Sequence, residues 1–366
     1  VTENAVFAGL VFLGTMALSA LLVPFSRTLG RWLGILDTPG ERKLHEIAVP
    51  RIGGVAVFLA TTVVITGGLL APALSQYLQS REVFPEALRM LRDANRVRNE
   101  LIAILSGSSL AFLVGLLDDV LGARFPVALK AAGQILAAAI LVSVGIHTTV
   151  FPGAGLNVLV TVLWVVGITN AFNLLDNMDG LSAGVALVAS GVLLANAWSH
   201  GEFFISLIQL AFMGGLLGFL FFNFSLRGRP ASVFLGDCGS LFIGFFMASL
   251  TLLERYVSKG SSNLFPVAMP VVVLAVPVID TFTVITIRIR GHRPIWRGDT
   301  NHLSHRLVAL GFSRRTAVLF IYLATFCLGI GALFLRDATP WQTLVLLLQS
   351  AGFVALLLFL MFVDRP

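Results

Sequence analysis

Long apolar runs alternate with short polar intervals along this chain. Eleven runs approach the roughly 20 residues that a helix needs to cross a bilayer. They cover about 4–25, 51–71, 101–117, 127–146, 157–175, 181–199, 203–223, 234–253, 264–287, 317–335 and 341–363. The third and fourth are short and are separated by Gly122 and Pro126. No long polar insertion, low-complexity tract or internal repeat interrupts the series. The pattern predicts an all-α, polytopic integral membrane protein of about 11 transmembrane helices, organised as a single membrane-embedded domain over 1–366. The interval 72–100 reads as an amphipathic segment on the outer surface, and 288–316 as a substrate-binding loop on the cytoplasmic one.

Composition agrees and narrows the class. Of 366 residues, 57% are hydrophobic and 12% charged, and the mean hydropathy is +0.91. Soluble domains carry about 25% charged residues. A soluble enzyme, a disordered chain and a disulfide-stapled secreted domain are thereby excluded, and nucleic acid is not an expected partner. Cys238 and Cys327 fit no metal spacing and read as free thiols. Glu3 is the only charge before the first apolar run, which does not read as a cleavable signal.

Charge sets an expected orientation. Lys and Arg total 25 against 19 acids, for a net charge of +6. With the N-terminus outside, 17 of the 25 basic residues fall on the inner side. Five of the remaining eight lie in 72–100, which is the weakest part of this assignment.

Acids are scarce, so their placement is informative. Asp118 and Asp119 end the third run, Asp176 and Asp179 end the fifth, and Asp237 opens the eighth. All five share the inner border. Singly, each reads as a solvated helix end; together they suggest a site. Asn170, Asn173 and Asp176 recur every third position and form one helical stripe. Asp237 sits among small residues at a helix start, where backbone N–H groups can receive a phosphate, and its carboxylate suits Mg2+. Asp118 and Asp119 point about 100° apart on a helix, so one is expected to reach the reacting centre while the other holds Lys or Arg. Lys130, one of three lysines, enters a span and is expected to bind an anion or a carboxylate.

Two basic loops share that border. One contains Lys43, His45 and Arg51; the other contains His302, His305 and Arg306. Positive-inside bias accounts for the arginines but not for two histidines at i, i+3, read as one face of a short helix. Histidine beside arginine suits phosphate or nucleotide recognition. Acids for a metal, bases for phosphate and a lipid-facing scaffold point to phosphoryl transfer involving a lipid. The rivals are a transporter of polar lipids or small molecules, for which Asp280 inside the ninth run is the best feature, and a non-catalytic membrane scaffold.

Five ordered blocks carry a family resemblance: DTPGERKLHEIAVPRIGG, GLLDD, NAFNLLDNMDGL, FLGDCGS and DTNHLSHRL. With them the chain resembles the polyprenyl-phosphate N-acetylhexosamine-1-phosphate transferases (glycosyltransferase family 4), from about residue 37 to 315. The first block looks like the WecA/TagO branch rather than the pentapeptide-translocase branch. The resemblance implies transfer of a sugar 1-phosphate, typically GlcNAc-1-phosphate from UDP-GlcNAc, to undecaprenyl phosphate, with release of UMP. It implies Mg2+, with Mn2+ as a substitute, a bacterial cytoplasmic membrane with the site on its cytoplasmic face, and a homodimer. By motif, Asp118, Asp119, Asp176 and Asp179 match the family's catalytic acids. Asp237 and Asn173 match the metal site. Lys43, His45, Arg51, Lys130, Asn170, His302, His305 and Arg306 fall to substrate binding. Two positions depart from the family's usual pattern: Ser304 stands where relatives often have the middle His of His-x-His-His, and Asn177 where they often have the first Gly of Asp-Gly-x-Asp-Gly.

Overall fold

The computed structural model describes residues 3–37, 48–79, 98–226, 230–254, 256, 265–295 and 299–363. Thirteen α-helices are present among them. The first seven are α1 (Glu3–Trp32), α2 (Gly54–Gln79), α3 (Arg98–Leu121), α4 (Val127–Ser143), α5 (Ala154–Leu175), α6 (Leu181–Ser199) and α7 (Phe203–Asn223). The rest are α8 (Gly236–Leu253), α9 (Met269–Val273), α10 (Ala275–Arg290), α11 (Leu303–Ala309), α12 (Arg314–Leu333) and α13 (Pro340–Phe362). Among the described residues, eight helices are long and apolar enough to cross a membrane, and Gly54–Leu70 and Val127–Ser143 are shorter apolar ones. This is a multi-pass, all-α membrane protein. In lipid every backbone polar group must find a partner inside the chain, and helices provide that within each segment.

The ninth run is not one helix, contrary to the expectation from the pattern. It breaks at Leu274 into α9 and α10. Pro277 has no N–H to give to the carbonyl four residues earlier, and its ring disfavours a straight helix there. The first helix also runs on to Trp32, past Pro24, well beyond the apolar stretch that predicted it.

Burial ranks the helices. In α8, 83% of the span is buried, against 11% of the corresponding window in α13. So α8 is the axis of the bundle and α13 lies at its edge. α3, α5 and α2 pack around α8, while α1 packs on α7. Phe212, Phe242 and Phe246 form an aromatic cluster between α7 and α8. A two-residue pairing, Leu36–Asp37 with Val49–Pro50, closes the base of the first loop. That loop then joins the segment before α8 by backbone bonds, Phe234 N to the Pro50 carbonyl (2.8 Å) and Gly53 N to the Phe234 carbonyl (2.8 Å). Arg51 is thereby held beside the start of α8.

Candidate active site

Four helix ends meet at one end of the bundle. The last turn of α3 brings Asp118 and Asp119, and the first turn of α4 brings Lys130. The end of α5 brings Asn173 and Asp176, and the first turn of α8 brings Asp237. Lys130 is the hub. Its Nζ donates to Asp118 Oδ2 (2.7 Å), Asn173 Oδ1 (3.0 Å) and Asp237 Oδ2 (3.3 Å). Asn173 Nδ2 donates in turn to Asp237 Oδ1 (2.7 Å) and Ser240 Oγ (2.8 Å). Lys130 therefore binds carboxylates, one of the two outcomes expected for it.

The paired aspartates divide their work. Asp118 keeps 17% of its side chain exposed, beside Lys130. Asp119 is sealed at 0%. It accepts from Arg51 Nε (3.2 Å) and Nη2 (3.0 Å) and from the backbone N–H groups of Asp237 (3.0 Å) and Cys238 (2.9 Å). A carboxylate on the first N–H groups of a helix satisfies orphan donors and suits the helix dipole. This overturns the expectation that the start of α8 is open to a phosphate: Asp119 already occupies those donors. The small residues there serve packing instead. Gly236 has φ +77° and lies against the Arg51 carbonyl, where any side chain would collide.

A second group lies on the last loop. His302 is not in the helix, as the i, i+3 reading assumed; it is the N-cap of α11, with extended backbone. Its ring is buried and its Nδ1 bonds Asp280 Oδ2 at 2.7 Å. Asp280 Oδ1 accepts from Leu303 N at 2.7 Å. His305 lies in α11 with its ring 6.3 Å from that of His302. Arg306 Nη2 donates to Asn301 Oδ1 (3.3 Å). Arg288, buried at the end of α10, donates to Asp299 (2.9 Å) and to the Ile295 carbonyl (2.5 Å).

Comparison with known proteins fits this arrangement. Residues 101–254 match Glycosyl transferase family 4. The chain is 32% identical over 354 residues, 94% of its length and 89% of the relative's, to a Bacillus subtilis (strain 168) protein named "Probable undecaprenyl-phosphate N-acetylglucosaminyl 1-phosphate transferase". The chain belongs to the polyprenyl-phosphate N-acetylhexosamine-1-phosphate transferase family. Other relatives in this family include a decaprenyl-phosphate N-acetylglucosaminephosphotransferase of Mycobacterium tuberculosis (strain ATCC 25618 / H37Rv), 31% identical over 84% of this chain and 77% of that one. An undecaprenyl-phosphate alpha-N-acetylglucosaminyl 1-phosphate transferase of Escherichia coli (strain K12) is 25% identical over 91% and 86%.

Within this family member, electrostatics separate the groups further. Asp176 caps α5, and burial pushes its carboxyl well above the ordinary range, with Asp237, Asp119 and Asp179 adding to the effect. For Arg51, burial opposes the charge, but Asp119 and Asp237 outweigh it and hold the guanidinium more firmly protonated than usual. Burial lowers the His305 imidazole, helped by His302 and Arg314, so this ring is neutral near pH 7. Asp299 is also partly desolvated, yet the Arg288 bond and the Asn301 N–H bring it below the ordinary carboxylate range.

Not every expected residue joins the cluster. Asn170 exchanges amide bonds with Gln134 (2.6 and 3.3 Å) and donates to the Val166 carbonyl (2.8 Å), one turn away from the bonds to Lys130. It ties α4 to α5 rather than facing the cluster. Lys43 and His45 lie outside the described residues, as does most of 72–100. Ser240 and Gln134 were not singled out beforehand. Both were legible, Ser240 at i+3 from Asp237 and Gln134 at i+4 from Lys130.

A divalent cation suits the chemistry of the donors. Five carboxylates (Asp118, Asp119, Asp176, Asp179 and Asp237) gather at this end; among the described residues Lys130 bonds Asp118 and Asp237, and Arg51 bonds Asp119. The group is rich in carboxylate oxygen, as a hard cation requires. Among the described residues, no three acidic, His or Cys side chains are arranged as a ready metal cage. That carboxylate oxygen supports metal binding together with a phosphate-bearing substrate rather than in a cage made by protein alone.

Proposed function

We propose that this protein transfers GlcNAc-1-phosphate from UDP-GlcNAc to a polyprenyl phosphate, releasing UMP, with Mg2+ (or Mn2+) as cofactor. The observation that carries the reading is the convergence of Asp118, Asn173 and Asp237 on Lys130 at the end of a lipid-spanning bundle. In this reading an oxygen of the lipid phosphate attacks the β-phosphorus of the donor. The bond from that phosphorus to the bridging oxygen breaks, and UMP leaves with the oxygen. Such transfers ask chiefly for positioning and charge stabilisation.

Asp237, with Asn173, is the residue that would hold the metal, which when bound supplies positive charge against the donor pyrophosphate. Lys130 keeps Asp118 and Asp237 together and offers its charge to the lipid phosphate. Asp118, partly buried beside Lys130, would accept the proton of that phosphate; Asp119 is a positioning residue, because its four bonds leave it sealed. Asp176 and Asp179 line the approach. His305 and Arg306 would meet the donor, with His302 holding their helix in place through Asp280.

The charge bias supports placing this end in the cytoplasm of a bacterium, with a single membrane domain over the whole chain. A homodimer is proposed on family resemblance. The transporter reading loses its best feature, since Asp280 is spent on His302 and the start of α11.

Purified protein given Mg2+, UDP-GlcNAc and undecaprenyl phosphate should release UMP, and UDP-GalNAc or UDP-MurNAc-pentapeptide should serve less well. No UMP from any donor would overturn the reading. Without lipid, neither a stoichiometric UMP burst nor a phosphoprotein is expected; either would replace direct attack with a covalent route.

A further inference from the structure

The two departures from the family's pattern touch each other. Ser304 Oγ donates to Asn177 Oδ1 at 2.6 Å, across 127 positions of sequence. Asn177 Nδ2 is itself fixed by the Leu174 carbonyl at the end of α5 (3.0 Å). Ser304 is 1% exposed, so its hydroxyl needs that partner. Asn177 stands between Asp176 and Asp179, and Ser304 is flanked by His302 and His305. The bond therefore ties the acid-bearing turn to the histidine- and arginine-bearing helix.

α11 is short, only seven residues, and cannot hold its own position by propensity. On one side Asp280 fixes its first turn to α10. On the other, Ser304 fixes it to the turn after α5. The turn is equally anchored from behind: Gly180, at φ +78°, receives the Asn223 amide oxygen on its N–H (2.6 Å) and gives its carbonyl to Tyr322 Oη (2.5 Å). With its back fixed, the face of the turn that meets α11 sets the gap between acids and histidines.

We propose that Ser304 and Asn177 are a positioning pair that sets this gap and thereby the fit of the nucleotide-sugar donor. The inference rests on the function proposed above. It also makes the two departures compensate in volume. A small Ser with a larger Asn fills the space that a larger His with a Gly would fill. A His at 304 would meet Asn177 in a site with no room, and a Gly at 177 would leave the Ser304 hydroxyl buried without a partner.

The test is a double-mutant cycle on UMP release, with the donor KM, the lipid KM and kcat measured separately. Ser304→Ala and Asn177→Gly should each raise the donor KM about tenfold, the size of one buried hydrogen bond, with the lipid KM and kcat little changed. Ser304→His should be worse than either, and Ser304→His with Asn177→Gly should recover to within about threefold of wild type. Ser304→Thr, which keeps the hydroxyl, should rescue the Ala defect. Additive losses in the His/Gly double variant, or equal changes in both KM values and kcat, would overturn the pair. An inactive wild-type protein would instead refute the proposed function, so the two failures are distinct. If Ser304→His does not fold, the Ala, Thr and Gly variants still decide.

Discussion

Carboxylates are buried at both ends of this bundle, and the two ends treat them differently. At the far end Glu254, just past α8, is 6% exposed and takes its hydrogen bonds from neutral amides, Asn196 (3.0 Å) and Gln209. Burial pushes its carboxyl up to about 8, against which those amide bonds pull only in part. At the site end Asp118 and Asp237 bond Lys130, and Asp119 bonds Arg51 and the first N–H groups of α8. An amide-wrapped carboxyl is closed and can sit neutral. A cation-bonded carboxylate at a partly open position, as Asp118 is beside Lys130, keeps oxygen to offer a phosphate-bearing metal. Acid content alone does not separate structure from function here; the kind of partner does.

The strongest way to break the contrast is Asp237→Ala. With saturating Mg2+ it should lower turnover at least about a hundredfold while leaving thermal stability near wild type. Activity retained above a few per cent would sink the metal assignment.

The paired aspartates sharpen it. Asp119→Ala strands Arg51 and two helix N–H groups, and should cost about 3–5 kcal/mol of stability. Asp118→Ala should spare stability and lower kcat. Equal melting temperatures for the two variants would show that sealed and open carboxylates are not different in kind.

At the far end the expected effect is on the pH dependence of stability alone, with none on turnover. The folded chain holds the Glu254 proton more tightly than the unfolded chain does. Stability from this group is therefore full below the ordinary glutamate range and declines as pH rises toward about 8. The slope should approach about 1.4 kcal/mol per pH unit between those limits. Glu254→Gln should flatten that decline, seen in melts from pH 5 to 9, and leave UMP release unchanged. A variant that melts with the same pH profile as wild type would mean that this carboxyl is ionised across that range.

Much of this was readable along the chain because lipid makes sequence explicit. A helix must satisfy its own backbone there, so apolar runs of the right length mark helices, and each remaining charge stands out. The runs, and the gathering of Asp118, Asp119, Asp176 and Asp237 with Lys130 at one border, follow from that rule. The sequence determined which residue types meet at that border. Only the tertiary structure decided their partners: Asp119 to Arg51 and the start of α8, Asp118 to Lys130, Asn170 to Gln134, Asp280 to His302, Ser304 to Asn177. Adjacent aspartates are equivalent in sequence and differ only by a rotation of about 100° on the helix. That rotation turns one toward the neighbouring helix terminus and leaves the other partly exposed beside Lys130. Such a choice depends on how helices far apart in the chain pack, and no local pattern records it.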